Sequence, residues 1–319
     1  MTAIYPSSAT ERTRWILNRR GPRNAVQSDR PYAYLQEQER LRSGAVADVA
    51  TIFLTNRECP WKCLMCDLWQ NTTTSGNAPG EIPEQIRFGL GQLRPGSVLK
   101  LYNSGSFFDP GAVPRGDWNE IAALCARFDH LIVECHPRLI DQRVLEFKGL
   151  LSCSLEIAMG LETAHPSALE ALNKRITLDD FERAAAFLKQ NDVQVRTFLL
   201  LHPPFVPKSE QFDWFTRSTR YAFDSGSDIV SLIPLRAGNG AIETLVRQDM
   251  ANEPALGELE TAEEFGIGLG RGRVFADTWD LARFSRCEYC LPARRERIHR
   301  MNLAQQIESP IRCSFCGNG

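Results

Sequence analysis

Seven of the ten cysteines fall into two sets with the spacing of metal ligands. Cys59, Cys63 and Cys66 stand in "RECPWKCLMCDLW" (57–69) as CxxxCxxC, and Cys287, Cys290, Cys313 and Cys316 form CxxC-x22-CxxC near the chain's end. Four thiolates suit a closed tetrahedral zinc site or an auxiliary [4Fe-4S] cluster. Three complete neither. Holding zinc, the trio needs a distant fourth ligand. Holding a [4Fe-4S] cluster, it leaves one iron without a protein sulfur and free to chelate a small molecule. Plain core thiols fit poorly, because Lys62 and Asp67 are interleaved with them. For the terminal four, "CSFCGNG" (313–319) reads as a zinc-ribbon knuckle with Gly317 easing the turn, and a second [4Fe-4S] cluster is the rival. Cys125, Cys135 and Cys153 lie in apolar contexts and read as buried thiols.

The elements that must position these groups follow a rhythm from residue 50. Strands are predicted at "ATIFLTN" (50–56), "VLKLYNSG" (98–105), "HLIVECH" (130–136), "SLEIAMGLE" (154–162), "VQVRTFLLL" (193–201) and "DIVSLIPL" (228–235). Between them, helices are predicted at 81–93, 117–128, 141–151, 177–192 and 208–226, with Asp117, Asp141 and Thr177 placed as caps. Such alternation implies parallel strands joined by right-handed crossovers. A doubly wound open sheet and an incomplete barrel both fit that pattern, and both bind ligands at the C-terminal ends of the strands. Those ends carry the cysteine trio, "NSGSFF" (103–108), Glu134 with His136, "GLET" (160–163), "HPPF" (202–205) and Arg236. Beyond residue 236 the pattern weakens, and "GIGLGRGR" (266–273) reads as a flexible linker.

The trio after a first strand resembles the cluster motif of the radical S-adenosylmethionine (SAM) superfamily. The stretches "LMCDLW", "LYNSGSFFDP", "VECHPRLI", "AMGLETAHPSALEALNKRITLDDFERAA" and "FLLLHPPFVPKSE" narrow it to a branch similar to the radical SAM subunit of archaeosine synthase, within the grouping of the elongator catalytic subunit and methylthiotransferases. That resemblance implies an α/β fold: a partial (β/α)6 TIM-like barrel over 46–240, an N-terminal basic extension over 1–45, and a small C-terminal cysteine-rich metal-binding extension over 241–319. It implies a [4Fe-4S] cluster on Cys59, Cys63 and Cys66 with SAM on the open iron, reduced by a donor such as flavodoxin or ferredoxin. Asn103, Ser104, Gly105 and Ser106 stand where superfamily members meet the SAM amino group through backbone. The pattern around strands three and four resembles that of oxygen-independent coproporphyrinogen oxidase. It assigns Glu134 and Glu162 to the ribose hydroxyls or amine, and Lys174 or Arg175 to the SAM carboxylate. Arg196 is a second candidate for that carboxylate, and His202 a proton donor near substrate. The implied reaction is a carbon–nitrogen lyase step on a modified nucleoside or tRNA base. The alternatives are radical chemistry on a small metabolite and a non-catalytic zinc-binding nucleic-acid module.

The 319 residues are 43% hydrophobic and 24% charged, values of a globular chain with a sizeable core. No apolar run approaches the length of a membrane span, and the N-terminus lacks a secretory signal, so a cytoplasmic setting without membrane partners is expected. The net charge of −2 is uneven. Residues 1–45 hold 8 Arg against 4 acids, and residues 271–319 hold 9 Arg against 5. Two basic ends could grip RNA phosphates or simply meet solvent, and Arg294, Arg295, Arg297 and Arg300 carry the same ambiguity.

Overall fold

The computed structural model describes residues 5–317; the first four residues of the expected N-terminal extension and the last two of "CSFCGNG" lie outside them. The chain opens with α1 (Ala9–Leu17) and the strand pair β1 (Ala33–Arg40) and β2 (Val46–Phe53). Then follow α2 (Glu81–Gln92), β3 (Val98–Tyr102), α3 (Trp118–Cys125), β4 (His130–Glu134), α4 (Gln142–Lys148) and β5 (Ser154–Glu162). The second half holds α5 (Pro166–Ala171), α6 (Leu178–Gln190), β6 (Gln194–Leu201), α7 (Gln211–Asp224) and β7 (Ile229–Pro234). It closes with α8 (Ala241–Val246), α9 (Leu256–Gly268), β8 (Arg273–Ala276) and α10 (Leu291–Ala304).

One sheet takes all eight strands in chain order and forms a half-barrel. β2 to β8 run parallel, and β1 returns antiparallel along β2. The six expected strands are β2 to β7; β1 and β8 extend the sheet past both expected domain boundaries. Two of the three expected caps form: Thr177 and Asp180 close a capping box at the start of α6, and Asp141 caps α4, whereas Asp117 stands before α3 but its carboxylate accepts the Gly80 amide at 2.9 Å instead. The main core lies between the sheet and its helices, with Ile52, Leu101, Val133, Ile157, Phe181 and Leu232 inaccessible to solvent. Cys125 and Cys135 are in it, and Cys153 packs against its edge.

"GIGLGRGR" is not a linker. It ends α9, turns, and begins β8. Its glycines serve close packing rather than flexibility: a Cβ on Gly272 would stand 2.6 Å from the Asp228 carbonyl oxygen, and one on Gly266 2.8 Å from Val274. β8 would be an open edge, but α10 covers it. The Asn302 and Gln305 side chains bond the amides and carbonyls of Ala276 and Val274 at 2.7–2.9 Å, as a neighbouring strand would. Arg40, ending β1, reaches the Leu303 carbonyl at 3.1 Å, so α10 spans the gap between the two sheet edges.

Candidate functional site

The polar groups of the site hang from the C-terminal ends of β2 to β6. Three of those ends are bent by non-glycine residues in the left-handed region: Ser104 (φ 53°) after β3, Glu162 (φ 68°) ending β5 and His202 (φ 63°) after β6. Such conformations cost about 1–3 kcal/mol each and persist where surrounding structure enforces them. A register shift between Gly160 and Glu162 re-aims the Glu162 carboxylate across the sheet's mouth. There it meets the Lys174 ammonium at 2.6 Å, both side chains almost fully buried. The pair lies over Gly160, where any Cβ would collide with it. Burial works against the charge on Lys174, but Glu162 and the neighbouring Cys63 and Cys59 outweigh it and raise its pKa.

Cys59, Cys63 and Cys66 are each half-buried. Burial, opposed for Cys59 and Cys63 by Lys174, pushes all three thiols up to about 12. Contacts from several elements hold the cysteine loop. Trp61 stacks on His136, ring centres 3.6 Å apart and planes 4° apart. His136 Nε2 donates to the Lys174 carbonyl at 2.9 Å, and burial with the adjacent Lys174 lowers its pKa to about 3. It is a neutral spacer. Asn173 donates to the Lys62 carbonyl at 2.8 Å, and Asn239 donates to the Leu64 and Cys66 carbonyls. Glu58 collects Arg20, Arg23 and Lys62 at 2.6–2.8 Å. A second apolar cluster, including Ile16 of α1, Leu64, Leu172, Leu200, Leu235 and Ile242, packs beneath the loop, with Met65 against it.

Opposite the loop, Glu134 ends β4. Its Oε1 accepts the Asn103 amide at 2.6 Å and the Gly105 amide at 3.4 Å, fixing the turn after β3. Burial raises its pKa, and those amides partly offset the rise. Gly105 sits against the trio: a Cβ there would stand 3.4 Å from that of Cys59. Ser104 Oγ meets the Tyr32 hydroxyl at 3.2 Å, while Ser106 Oγ takes the His136 amide at 2.9 Å. Cys59, Cys63, Cys66, Asn103–Ser106, Glu134, Glu162 and Lys174 therefore share one neighbourhood.

Three expected residues are engaged elsewhere. Arg175 is exposed and ties α1, donating to the Ala9 carbonyl at 2.7 Å, so of the "NKR" pair Lys174 faces the site. Arg196, early in β6, is buried between Glu39 and Glu156 in a network with Lys100 and His130. Both carboxylates are held below their usual range, the cations beside them outweighing burial. Arg196 is thus the counter-ion that permits two buried acids. His202 is buried with Nε2 3.1 Å from Glu258 and Nδ1 2.6 Å from Asn252, anchoring β6 to the segment that starts α9.

No family model matches the chain. By sequence it is 24% identical over 309 residues to an uncharacterized protein of Methanocaldococcus jannaschii, covering 89% of this chain and 84% of that one. It is 29% identical over 119 residues to archaeosine synthase subunit beta of Thermococcus kodakarensis, spanning 35% of this chain and 37% of the relative. By structure it matches Elp3 of Methanocaldococcus infernus with a TM-score of 0.52 at 13% identity, over 69% of this chain and 59% of that one. It also matches methylornithine synthase (PylB) with a TM-score of 0.50 at 16% identity, over 70% of this chain and 64% of that one. The fold is the half-barrel shared with these proteins.

The residues at the mouth of this half-barrel fit the expected cofactors. Asn103 is inaccessible to solvent, yet neither its side-chain Nδ2 nor its side-chain Oδ1 has a partner. Unpaired buried polar atoms cost about 1–3 kcal/mol each, and a polar ligand at the mouth would recover that. The trio offers three soft ligands and no fourth cysteine. The unmatched pair on Asn103, the Glu134 carboxylate and the Lys174 ammonium provide polar and charged contacts for an amino acid head and a ribose.

The terminal cysteines converge apart from this mouth. Among the described residues they are the one group of at least three potential metal-ligating side chains whose ligand atoms all lie within 4.8 Å of one another. Amides of Cys316 and Phe315 lower the Cys313 thiol to about 7. The arginines between the two pairs are largely spoken for. Arg294 and Arg297 bind Glu260 and Glu264 of α9, and Arg300 binds Glu308. No helix among the described residues is long and apolar enough to cross a membrane.

Sequence reasoning missed what supports the loop: Trp61 with His136, Asn173, Asn239 and the Arg20–Glu58 pair. A faint signal existed. "CPWKC" places an aromatic inside a ligand loop, and "VECHP" places a histidine just past a strand end.

Proposed function

We propose that this chain is a radical SAM enzyme that binds a [4Fe-4S] cluster on Cys59, Cys63 and Cys66 and acts on a modified nucleoside or tRNA base. The observation that carries the reading is a three-thiolate loop at the mouth of the half-barrel, facing unpaired Asn103 and the Glu162–Lys174 pair. Held by Cys59, Cys63 and Cys66, a cluster would supply the single electron for reductive cleavage of SAM to methionine and the 5′-deoxyadenosyl group, and so for hydrogen-atom abstraction from substrate. Lys174 would pair with the SAM carboxylate, giving up part of its hold on Glu162. Glu162 and Glu134 would accept from the ribose hydroxyls or amine, and Asn103 would bond the methionine head. Burial keeps His136 neutral, so it orients the loop and moves no proton. The apolar packing of Leu64 and Ile16 keeps water from the loop's inner side.

Similarity to archaeosine synthase subunit beta supports the nucleoside substrate and the carbon–nitrogen lyase step. The small-metabolite reading has an observation of its own: Arg12, Arg20, Arg23, Arg294, Arg297 and Arg300 are paired within the chain, which leaves fewer arginines for phosphates. The test is anaerobic reconstitution with iron and sulfide, reduction by flavodoxin or dithionite, and assay for 5′-deoxyadenosine and methionine. Both products form with the wild type and neither with C66A; no product from a fully loaded cluster would refute the reading. Binding to tRNA that weakens as salt rises selects the nucleic-acid substrate, and salt-independent absence of binding selects the small molecule.

A further inference from the structure

The four terminal cysteines carry an inference that does not depend on the radical reading: the metal they take is set by how far apart their sulfurs stand. Cys287 Sγ lies 3.8 Å from Cys313 Sγ, and Cys290 Sγ lies 3.8 Å from Cys316 Sγ. All four sulfurs fall within 4.8 Å of one another. A tetrahedron with metal–sulfur bonds of about 2.3 Å has edges of about 3.8 Å. In a [4Fe-4S] cluster each cysteine binds a different iron, and the cube's own sulfides stand between them, so the cysteine sulfurs cannot approach so closely. The spacing is that of four thiolates around one ion.

The surroundings agree with a closed site. The chain provides all four ligands, so no position is left for water or substrate. Gly317, directly after the last cysteine, takes φ 63° and returns its amide to the Cys313 carbonyl at 3.1 Å, shaping the second knuckle. The residues just before Cys290 and Cys316, Tyr289 and Phe315, stack with centres 4.0 Å apart and planes 9° apart, locking the two knuckles face to face. Cys290 directly precedes α10, the helix whose Asn302 and Gln305 cover β8 and whose Leu303 takes Arg40 of β1. A metal joining Cys290 to the tail would pin the helix that bridges the two edges of the half-barrel.

We propose that Cys287, Cys290, Cys313 and Cys316 hold a single four-coordinate zinc ion that braces α10 across the open side of the barrel. Zinc is chosen over other single ions by its preference for tetrahedral all-thiolate sites. The test counts metals in the full chain and in C59A/C63A/C66A, both purified anaerobically. Expected is one zinc per chain in each, with iron and the visible absorption of a cluster present only in the wild type. C287S/C313S should lose the zinc and keep the iron. Amide exchange should then rise in α10 and β8 and stay unchanged in β3 to β5. Iron and sulfide retained by the triple variant would overturn the proposal, as would a wild type that takes up no zinc. If the triple variant does not fold, wild type stripped of its oxygen-sensitive cluster by ferricyanide and chelator serves instead. Zinc that survives the stripping supports the proposal, and zinc that is absent after it refutes it.

Discussion

Cys287, Cys290, Cys313 and Cys316 draw their sulfurs within 4.8 Å of one another at the protein's edge, whereas Cys59, Cys63 and Cys66 lie on a loop at the barrel mouth and form no such tight group. The quartet is complete in itself. Its ligands, two short knuckles and a stacked ring pair are all within thirty-one residues, 287–317. The trio is incomplete by construction and borrows from the whole chain: Arg20 from before β1, His136 after β4, Asn173 after α5, Asn239 after β7. A closed site needs only its ligands brought together. An open one needs its unfilled position aimed at a pocket, which takes a barrel.

That contrast can be broken experimentally, the largest effect first. Replacing any one of Cys59, Cys63 or Cys66 by Ala should reduce 5′-deoxyadenosine formation to background while leaving the terminal metal in place. C287S should do the reverse: the iron stays, and thermal unfolding shows a loss of several kcal/mol or more, since structural zinc binding is folding energy. Two of the three cations eligible for the SAM carboxylate, Lys174 and Arg196, should part company. Lys174→Met and Arg196→Met each strand buried carboxylates, a loss of about 3–5 kcal/mol in unfolding where the partner stays charged. Only Lys174→Met should also weaken SAM binding, read by equilibrium dialysis on the loaded protein.

The smallest effect tests the helix pair that carries the quartet. Glu263 of α9 is inaccessible to solvent with neither oxygen paired, and burial raises its pKa well above normal. An acid whose folded pKa is raised keeps its proton longer in the folded state, so stability falls as pH rises from the unfolded value toward the folded one. Glu263→Gln should match the wild type near pH 4 and be the more stable at pH 8, by roughly 1–3 kcal/mol. A difference independent of pH would contradict a neutral Glu263.

The strand–helix alternation was legible because the buried strands are apolar runs and some helices are opened by a capping side chain, as Thr177 and Asp141 show. β1 was not: "AYLQEQER" is mostly polar, since Glu37 and Glu39 serve the ion network of Lys100 and Arg196 rather than an apolar core. β8 was hidden by glycines whose role, close approach to Asp228 and Val274, depends on residues distant in sequence or across a turn. Spacing revealed the trio and quartet as ligand sets. It could not show that Arg196 answers Glu156, forty residues earlier, because which charge meets which is decided by the sheet.

The central claim is that one iron on the Cys59–Cys66 loop is left open for SAM. Electron–nuclear double resonance on the anaerobically reduced protein, with SAM labelled at its amino nitrogen, tests it most directly. The account predicts a nitrogen coupling to the cluster that disappears in C63A along with the cluster itself. A reduced cluster that shows no coupling at saturating SAM would contradict it.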